Sequence, residues 1–339
     1  MMLEIRAAKA SLAAAIMLGL SVSAGAAAQE ITVMSWGGAW EAGMRSIAER
    51  FESQSGIKAR IEIQESTRFG LAKVKAQRND PQIDIWFAIP EALLDATADG
   101  LLQPLPAAEL PAFKALPQTA RTATWLNVGD DIFGFVYRKD LVPFEPKSLD
   151  DLLDPRMKGK VVSPNATFSS GLWIVLSALH HGGNERNVEP GFAYLNKLKP
   201  NLSRFITNGP AGMKLLETGE AAVVSFALFA NMRAHVDNPN YKFVLPAGPV
   251  LTNTYGLGVP SAKRKAQALK FVDYMSTAEA QTLYCVSVQC IPTNPAGKAP
   301  AAVEPLRPEP ARVYRPDSAE TNKNLAAWDD RFKREIQAR

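Results

Sequence analysis

Side chains that could perform catalysis are few in this sequence. Its only histidines are His180, His181 and His235, and the first two run into Gly182, a pattern that indicates the end of a helix. The sequence contains no G-x-S-x-G nucleophile turn, no H-E-x-x-H zinc motif and no phosphate-binding P-loop. We therefore expect no catalytic residue, no metal site and no cofactor, and an enzyme remains only as an alternative.

Other residues have types suited to holding a small ligand. Ser35, Trp36 and Gly37 end an apolar segment, where glycine lets the backbone approach a ligand and the Trp36 ring can form a wall of the site. Burial of Trp36 in the core is the alternative. Phe168 and Ser169 precede a predicted helix whose free N–H groups suit an anion such as a carboxylate, unless the serine serves only as the helix cap.

Four more candidates lie in predicted loops or joining segments, where they could face a cleft. They are Thr67, Glu91, Tyr137 and Asn253. Solvated surface is the competing interpretation for all four. For Glu91 a third explanation is favourable charge at a helix N-terminus.

The elements that must position these residues begin with alternating strands and helices. Strands and helices alternate in the predicted order 31–36, 40–55, 57–63, 70–78, 83–87 and 90–99. Such alternation implies a parallel sheet with helices on both faces. Because ligands of open α/β sheets collect at the carboxyl ends of the strands, the loops at 35–38, 65–67 and 88–91 are the expected binding loops.

The alternating pattern restarts after a further predicted strand at 132–137. It continues to about residue 245, with a predicted strand at 221–226, and thus predicts a second α/β lobe; a strand at 254–259 then returns. Residues 292–316 are rich in proline and show no clear period. Near the end, Leu325, Trp328, Phe332 and Ile336 recur at helical spacing, so this last helix is expected to pack on a lobe.

The first 28 residues predict export. Arg6 and Lys9 precede an apolar run, and Ala26-Ala27-Ala28 form a cleavage site, so residues 1–28 read as a signal peptide. We expect a free periplasmic protein that begins near Gln29, because the apolar run is too short to span a membrane. Removal of this segment lowers the net charge of +4 by one unit. The mild positive charge, without a basic cluster, predicts no nucleic-acid partner.

Cys285 and Cys290 are the only cysteines of the sequence. Disulfides persist in the oxidising periplasm, so we expect these two residues to be bridged. Two buried reduced thiols are the alternative. A zinc site is disfavoured because two cysteines without a nearby histidine leave two of its four positions empty.

Short motifs along nearly the whole mature chain resemble the solute-binding proteins of bacterial ABC importers, in the branch of the spermidine/putrescine-binding proteins. The motifs are Ser35-Trp36-Gly37-Gly38, Asp84-Ile85-Trp86, Asp99-Gly100-Leu101-Leu102, residues 148–155 with Lys158-Gly159-Lys160, Leu198-Lys199-Pro200, Ala278-Glu279-Ala280-Gln281 and Ile291-Pro292-Thr293-Asn294. Each is weak alone, whereas their order and spacing together are specific.

The resemblance implies a type 2 periplasmic-binding-protein fold, with two α/β lobes, each a mixed, mainly parallel sheet flanked by helices, and a ligand cleft between them. Lobe closure would trap a solute for delivery to an inner-membrane permease. The boundaries that follow are 29–133 with 259–300 for lobe I, 139–248 for lobe II, 134–138 and 249–258 for the hinge crossings, and 301–339 for a proline-rich segment and a C-terminal helix packed on a lobe. A monomer is the expected state.

The resemblance also places Phe226 and Tyr255 in the cleft, where polyamine-binding relatives have a tryptophan and a carboxylate. Positions that match the carboxylates of those relatives are neutral here, namely Gly38, Asn165 and Tyr255. Buried ammonium groups need paired charges, so a smaller solute with one charge, or a zwitterion, fits better than a polyamine. The alternatives are a small anion such as a carboxylate or phosphonate, and a sensory binding protein that serves a receptor.

Overall fold

The computed structural model describes residues 29–338, so the predicted signal peptide at 1–28 lies outside the described residues. The strands are β1 (Gln29–Trp36), β2 (Ile57–Gln64), β3 (Ile85–Ala88), β4 (Trp125–Arg138), β5 (Val161–Pro164), β6 (Leu202–Ile206), β7 (Val223–Leu228), β8 (Tyr241–Val244), β9 (Val250–Gly258), β10 (Ile291–Pro292) and β11 (Val313–Tyr314). The α-helices are α1 (Ala39–Ser55), α2 (Thr67–Ala76), α3 (Pro90–Ala98), α4 (Pro111–Ala115), α5 (Ser170–Leu179), α6 (Glu189–Leu198), α7 (Gly209–Thr218), α8 (Lys265–Met275), α9 (Ala278–Val288) and α10 (Ser318–Phe332).

The first lobe is built on β2, β1, β3, β9 and the first half of β4, in that order. β1 pairs in parallel with β2 and β3, and β9 runs antiparallel to β3 and β4. The apolar run of β1 is buried because helices cover the sheet, as expected for a strand between two parallel neighbours. Ile31, Val33, Met44 and Phe51 form one core with Phe271 of α8.

The second lobe is built on the second half of β4 with β5, β6, β7 and β8. β5 pairs in parallel with β6 and β7, whereas β7 and β8 run antiparallel to β4. Trp173 of α5 and Phe192 of α6 are buried in its core together with Phe135. The two lobes thus have separate apolar cores and similar construction, and the predicted two-lobed α/β fold class is confirmed.

The strand β4 belongs to both lobes. It pairs with β9 up to Ile132 and with β7 from Phe133 onward, so its partner changes between these two residues. The predicted crossing at 134–138 is the part of β4 that pairs with β7 and β8. The segment predicted as the second crossing, 249–258, contains β9, which is a strand of the first lobe from Thr252 onward.

The disulfide between Cys285 and Cys290 is present, which confirms the predicted bridge. Both cysteines are buried in the first-lobe core and lie against Gly129 of β4. A Cβ atom at Gly129 would lie 2.6 Å from the Cys290 Sγ and 2.9 Å from the Cys285 Sγ. Because this spacing is shorter than any normal contact, the strand needs glycine where it passes the disulfide.

The C-terminal helix α10 contacts both lobes. Trp328 and Phe332 of α10, and Ile336 in the helical turn that follows it, are buried in the second-lobe core, which accounts for the helical stripe in the sequence. Near its other end α10 contacts α3 of the first lobe. The hydroxyl of Ser170, at the beginning of α5, donates a hydrogen bond of 2.5 Å to Asp329 of α10.

Candidate ligand-binding cavity

A cavity of about 390 Å³ opens at the carboxyl ends of β1, β2 and β3, where the second lobe meets the first. Its lining comes from both lobes and consists of Trp36, Gly37, Trp40, Gln64, Glu65, Thr67, Ile89, Leu228, Asn253 and Tyr255. A larger cavity of about 680 Å³ lies between α1 and α8 on the first lobe. We take the smaller cavity as the candidate site because it alone of the two lies at the strand ends, where open α/β sheets bind ligands.

Three aromatic rings form one wall of the cavity. Trp36 ends β1, Trp40 lies in the first turn of α1, and Tyr255 comes from the middle of β9. Their ring centroids are 6.3 Å apart for the two tryptophans, and 5.9 and 6.0 Å from Tyr255 to Trp36 and Trp40, each pair edge to face. Gly38 makes this possible with a φ of 69°, a left-handed conformation that reverses the chain between the two tryptophans.

The buried carboxylate of Asp131 fixes the position of Tyr255 in the aromatic wall. The Tyr255 hydroxyl donates a hydrogen bond of 3.0 Å to Asp131, and the backbone N–H groups of Ile132 and Ala230 donate at 2.8 and 3.3 Å. Burial raises the pKa of Asp131 to about 7, and these hydrogen bonds oppose the rise. Burial also raises the pKa of Tyr255 well above its usual range, so the phenol stays neutral and donates.

Two neighbouring polar side chains of the cavity lining differ in their hydrogen bonding. The amide of Gln64 accepts from the Trp86 indole at 2.9 Å and donates to the Phe87 carbonyl at 2.7 Å. Glu65, the next residue, is exposed and makes no ion pair or hydrogen bond within the described part of the chain. Glu65 is therefore the charged group of the lining that is available to a ligand.

The second lobe reaches the cavity through the end of β7 and the short turn that follows it. Leu228 is the last residue of β7 and lines the cavity. The turn Phe229–Met232 then leads to Arg233, whose guanidinium carbon lies 5.8 Å from the ring centroid of Trp40. A cation at this distance over an indole ring is attracted by the ring electrons. Arg233 and Trp40 thus touch across the two lobes.

Five of the predicted binding residues line this cavity: Trp36, Gly37, Thr67, Asn253 and Tyr255. Ser35 is fully buried in β1 directly before Trp36, and its hydroxyl has no hydrogen-bond partner among the described residues.

Two predicted aromatic residues lie instead inside the second lobe. Phe226 is buried and stacks on Phe133, with ring centroids 4.3 Å apart, and Tyr137 is buried in the same core. Phe226 does not line the cavity because its strand is longer than predicted. The sequence predicts that the strand ends at Phe226, whereas β7 continues to Leu228, so Leu228 takes the strand-end position at the cavity.

The remaining predicted residues lie near the C-terminal helix. Phe168 packs against the second-lobe core, and Ser169 begins α5 in a left-handed conformation, without a side-chain cap hydrogen bond. The N-terminus of α5 is next to the Asp329 carboxylate, which bonds Ser170. Glu91 faces Ser318 at the start of α10, and burial raises the pKa of Glu91. None of these three predicted residues lines the cavity.

Sequence reasoning missed Trp40, Gln64, Glu65, Ile89 and Leu228 of the lining, and Asp131 behind it. A signal existed for three of them, since Ile89 lies within the predicted loop 88–91. Trp40 follows Trp36 by four positions, just past the glycine turn, and Glu65 lies within the predicted loop 65–67. No local pattern indicates Asp131, because its partner Tyr255 is 124 residues away in the sequence.

Two α/β lobes that share a strand, with a cavity at the strand ends between them, define the class of periplasmic binding proteins. Residues 46–308 match the sequence family described as bacterial extracellular solute-binding protein, and the chain belongs to that family. The predicted membership of the solute-binding proteins, the fold class and the periplasmic location are thereby confirmed. Within residues 29–338 no helix combines the length and apolar character that a membrane span requires.

The chain is also similar to individual proteins of known name or structure. A protein of Salmonella paratyphi A named "Putative 2-aminoethylphosphonate-binding periplasmic protein" is 27% identical over 246 residues, which cover 69% of each chain. Among solved structures, an extracellular solute-binding protein from Bordetella parapertussis aligns with a TM-score of 0.80 and 20% identity, over 91% of this chain and 99% of that one. The periplasmic binding protein AfuA from Actinobacillus pleuropneumoniae aligns with a TM-score of 0.70 and 17% identity, over 92% and 99%.

The protein is therefore a periplasmic solute-binding protein of the ABC-transporter type. Membership of the family implies a small-molecule ligand and an ABC permease as partner. The relatives named above carry the names of binding proteins.

Proposed function

We propose that the cavity walled by Trp36, Trp40 and Tyr255 captures a small charged organic solute, which the lobes enclose and deliver unchanged to an inner-membrane permease. The observation that carries this proposal is the aromatic wall at the carboxyl ends of β1 and β3, facing Leu228 of the second lobe. A wall of ring faces and edges binds carbon skeletons and cations. No group within the described cavity lining has the arrangement of a nucleophile and its base.

The best candidate solute is an amine that also carries an anionic group, such as 2-aminoethylphosphonate. The Salmonella relative is named for binding that compound. The cavity itself favours one ammonium group over several, because Glu65 is the one carboxylate that the described residues contribute to its lining. A polyamine would require more buried carboxylates than the lining provides.

The proposed motion follows the division of the chain. We assign 29–133 and 259–300 to lobe I and 139–248 to lobe II, with the change of sheet within β4 as one crossing. Residues 301–339 contain a proline-rich segment and α10. The mature protein is proposed to begin near Gln29 and to act as a monomer. A ligand that contacts both lobes shifts the population toward the closed form.

A thermal-shift screen of the mature protein tests the proposal. The panel contains 2-aminoethylphosphonate, amino acids, simple amines, short carboxylates and phosphonates. A compound that binds only the folded state stabilises it by about 2.7 kcal/mol at 100 times its Kd, which raises the melting temperature by several degrees. No shift with any member, or conversion of a member to a new product seen by NMR, would contradict the proposal.

A further inference from the structure

One charged side chain lines the cavity and a second, of opposite sign and from the other lobe, lies over the lining residue Trp40. Glu65 follows β2 in the first lobe and lines the cavity. The next acidic residue along β2, Glu62, is already paired with Lys73. Glu65 makes no such pair within residues 29–338, so its carboxylate is available to a cation in the cavity.

Arg233 is the corresponding cation from the second lobe. Its guanidinium lies over Trp40, and one N–H group donates 3.1 Å to the Ala230 carbonyl of its own turn. No carboxylate of the described chain pairs with it within 4.0 Å. Arg68 beside the cavity residue Thr67 differs, because its charge acts on Asp329 of α10, where it opposes the rise in pKa that burial causes. Arg233 therefore has donors left for an anion.

We infer that Glu65 and Arg233 bind the two ends of a zwitterion, with its ammonium group at Glu65 and its anionic group at Arg233. The inference rests on the proposed function and names the class of solute. Glu65 and Arg233 form no ion pair with each other; Glu65 lines the same cavity as Trp40, the ring over which Arg233 lies.

The charges explain why a solute with both signs is favoured. Closure removes water from the cavity, and a charge that loses water needs a partner. An amine alone leaves Arg233 without a partner, and an anion alone leaves Glu65 without one. Only a solute with both charges pairs with both residues, and such a solute thereby bridges the two lobes.

Calorimetry on wild type, Glu65→Gln and Arg233→Gln tests the inference with three probes. The probes are 2-aminoethylphosphonate, ethylphosphonate, which lacks the amine, and ethylamine, which lacks the anion. Wild type should prefer 2-aminoethylphosphonate to either analogue by about 10-fold or more, since each charged contact contributes that much. Glu65→Gln should remove most of the preference over ethylphosphonate, and Arg233→Gln most of the preference over ethylamine.

Glu49→Gln and Arg334→Gln are the matched controls, because both side chains are exposed on helices away from the cavity lining. Their preferences should equal those of wild type. Unchanged ratios in Glu65→Gln and Arg233→Gln overturn the inference and leave the proposed function standing. If wild type binds only solutes with a single charge, the inference is likewise overturned and the proposed function stands. If no compound of the full screen binds, the proposed function is overturned as well.

Discussion

The two sides of the cavity are built differently. On the first-lobe side, Trp36, Trp40 and Tyr255 hold one another through edge-to-face contacts, and a buried carboxylate fixes Tyr255 from behind. On the second-lobe side, Leu228 comes from a strand end, and Arg233 directly follows the four-residue turn after it. The difference indicates that the first lobe supplies a preformed surface for the solute, while the second lobe completes the site.

Asp131 is the residue where the two sides meet. It accepts hydrogen bonds from Tyr255 of the wall and from Ala230 in the turn of the second lobe. It also lies next to the point where β4 changes its partner strand. A single buried carboxylate thus fixes the position of the wall relative to the turn.

The largest effect is expected for Asp131→Asn, as a change in the pH dependence of stability. The folded-state pKa of about 7 lies above the ordinary value of an aspartate, so the folded chain binds more protons between about pH 4 and 7. The free energy of unfolding of wild type should therefore fall as pH rises through this window, by up to about 4 kcal/mol, and the asparagine variant should lack that fall.

Denaturant unfolding at several pH values across this window measures the effect. Asparagine keeps the shape and an acceptor for the backbone N–H groups, so the variant is expected to fold. The exposed residue Asp237 provides the control Asp237→Asn, whose stability should follow wild type at every pH. A constant difference between Asp131→Asn and wild type over the whole window would contradict the role given to Asp131.

A smaller effect is expected for Trp36→Ala, which tests the wall directly. Loss of an aromatic anchor from a binding site costs about 2 kcal/mol or more, which is about 30-fold in Kd by calorimetry. Phe69→Ala is the control, because Phe69 is 52% exposed and does not line the cavity. Unchanged affinity together with a lower melting temperature would assign Trp36 to the core rather than to the ligand.

The smallest effect is expected for Leu228→Ala on the second-lobe side. Leu228 is half-buried and contributes apolar surface to the cavity from the edge of its strand. Its truncation should weaken binding by about 1 kcal/mol, or about fivefold in Kd. Leu283→Ala, at an exposed position on α9, should leave Kd unchanged. A loss of affinity as large as that for Trp36→Ala would show that both sides of the cavity contribute equally to binding. That result would contradict the difference proposed between the two sides.

The fold was more predictable than the site, for reasons that particular residues show. β1 and β3 are short apolar runs bounded by glycine or proline, so their pattern alone indicates buried strands. β4 begins at Trp125 instead of residue 132, because Gly129, Asp130 and Asp131 interrupt its apolar pattern. Those polar residues are explained only by tertiary contacts, namely the disulfide at Gly129 and the hydroxyl groups of Thr254 and Tyr255.

The site depends on where strands end, and sequence patterns locate ends poorly. The loops after β1 and β2 were predictable because glycine or a helix cap marks them, and Trp36 and Thr67 line the cavity accordingly. The end of β7 has no such marker, and an error of two residues exchanges Phe226 for Leu228. Side chains two positions apart point to the same face of a strand, but only the last one reaches the strand end.

The contacts of α10 with the two lobes differ, and this difference has a practical consequence. Its apolar residues are buried in the core of the second lobe. Its contact with the first lobe is with α3, near Ser318 and Glu91. When the lobes separate, the helix should travel with the second lobe and part from α3. A fluorescent dye attached at position 318 would then change brightness at each opening, which would turn the protein into an optical reporter of its own solute.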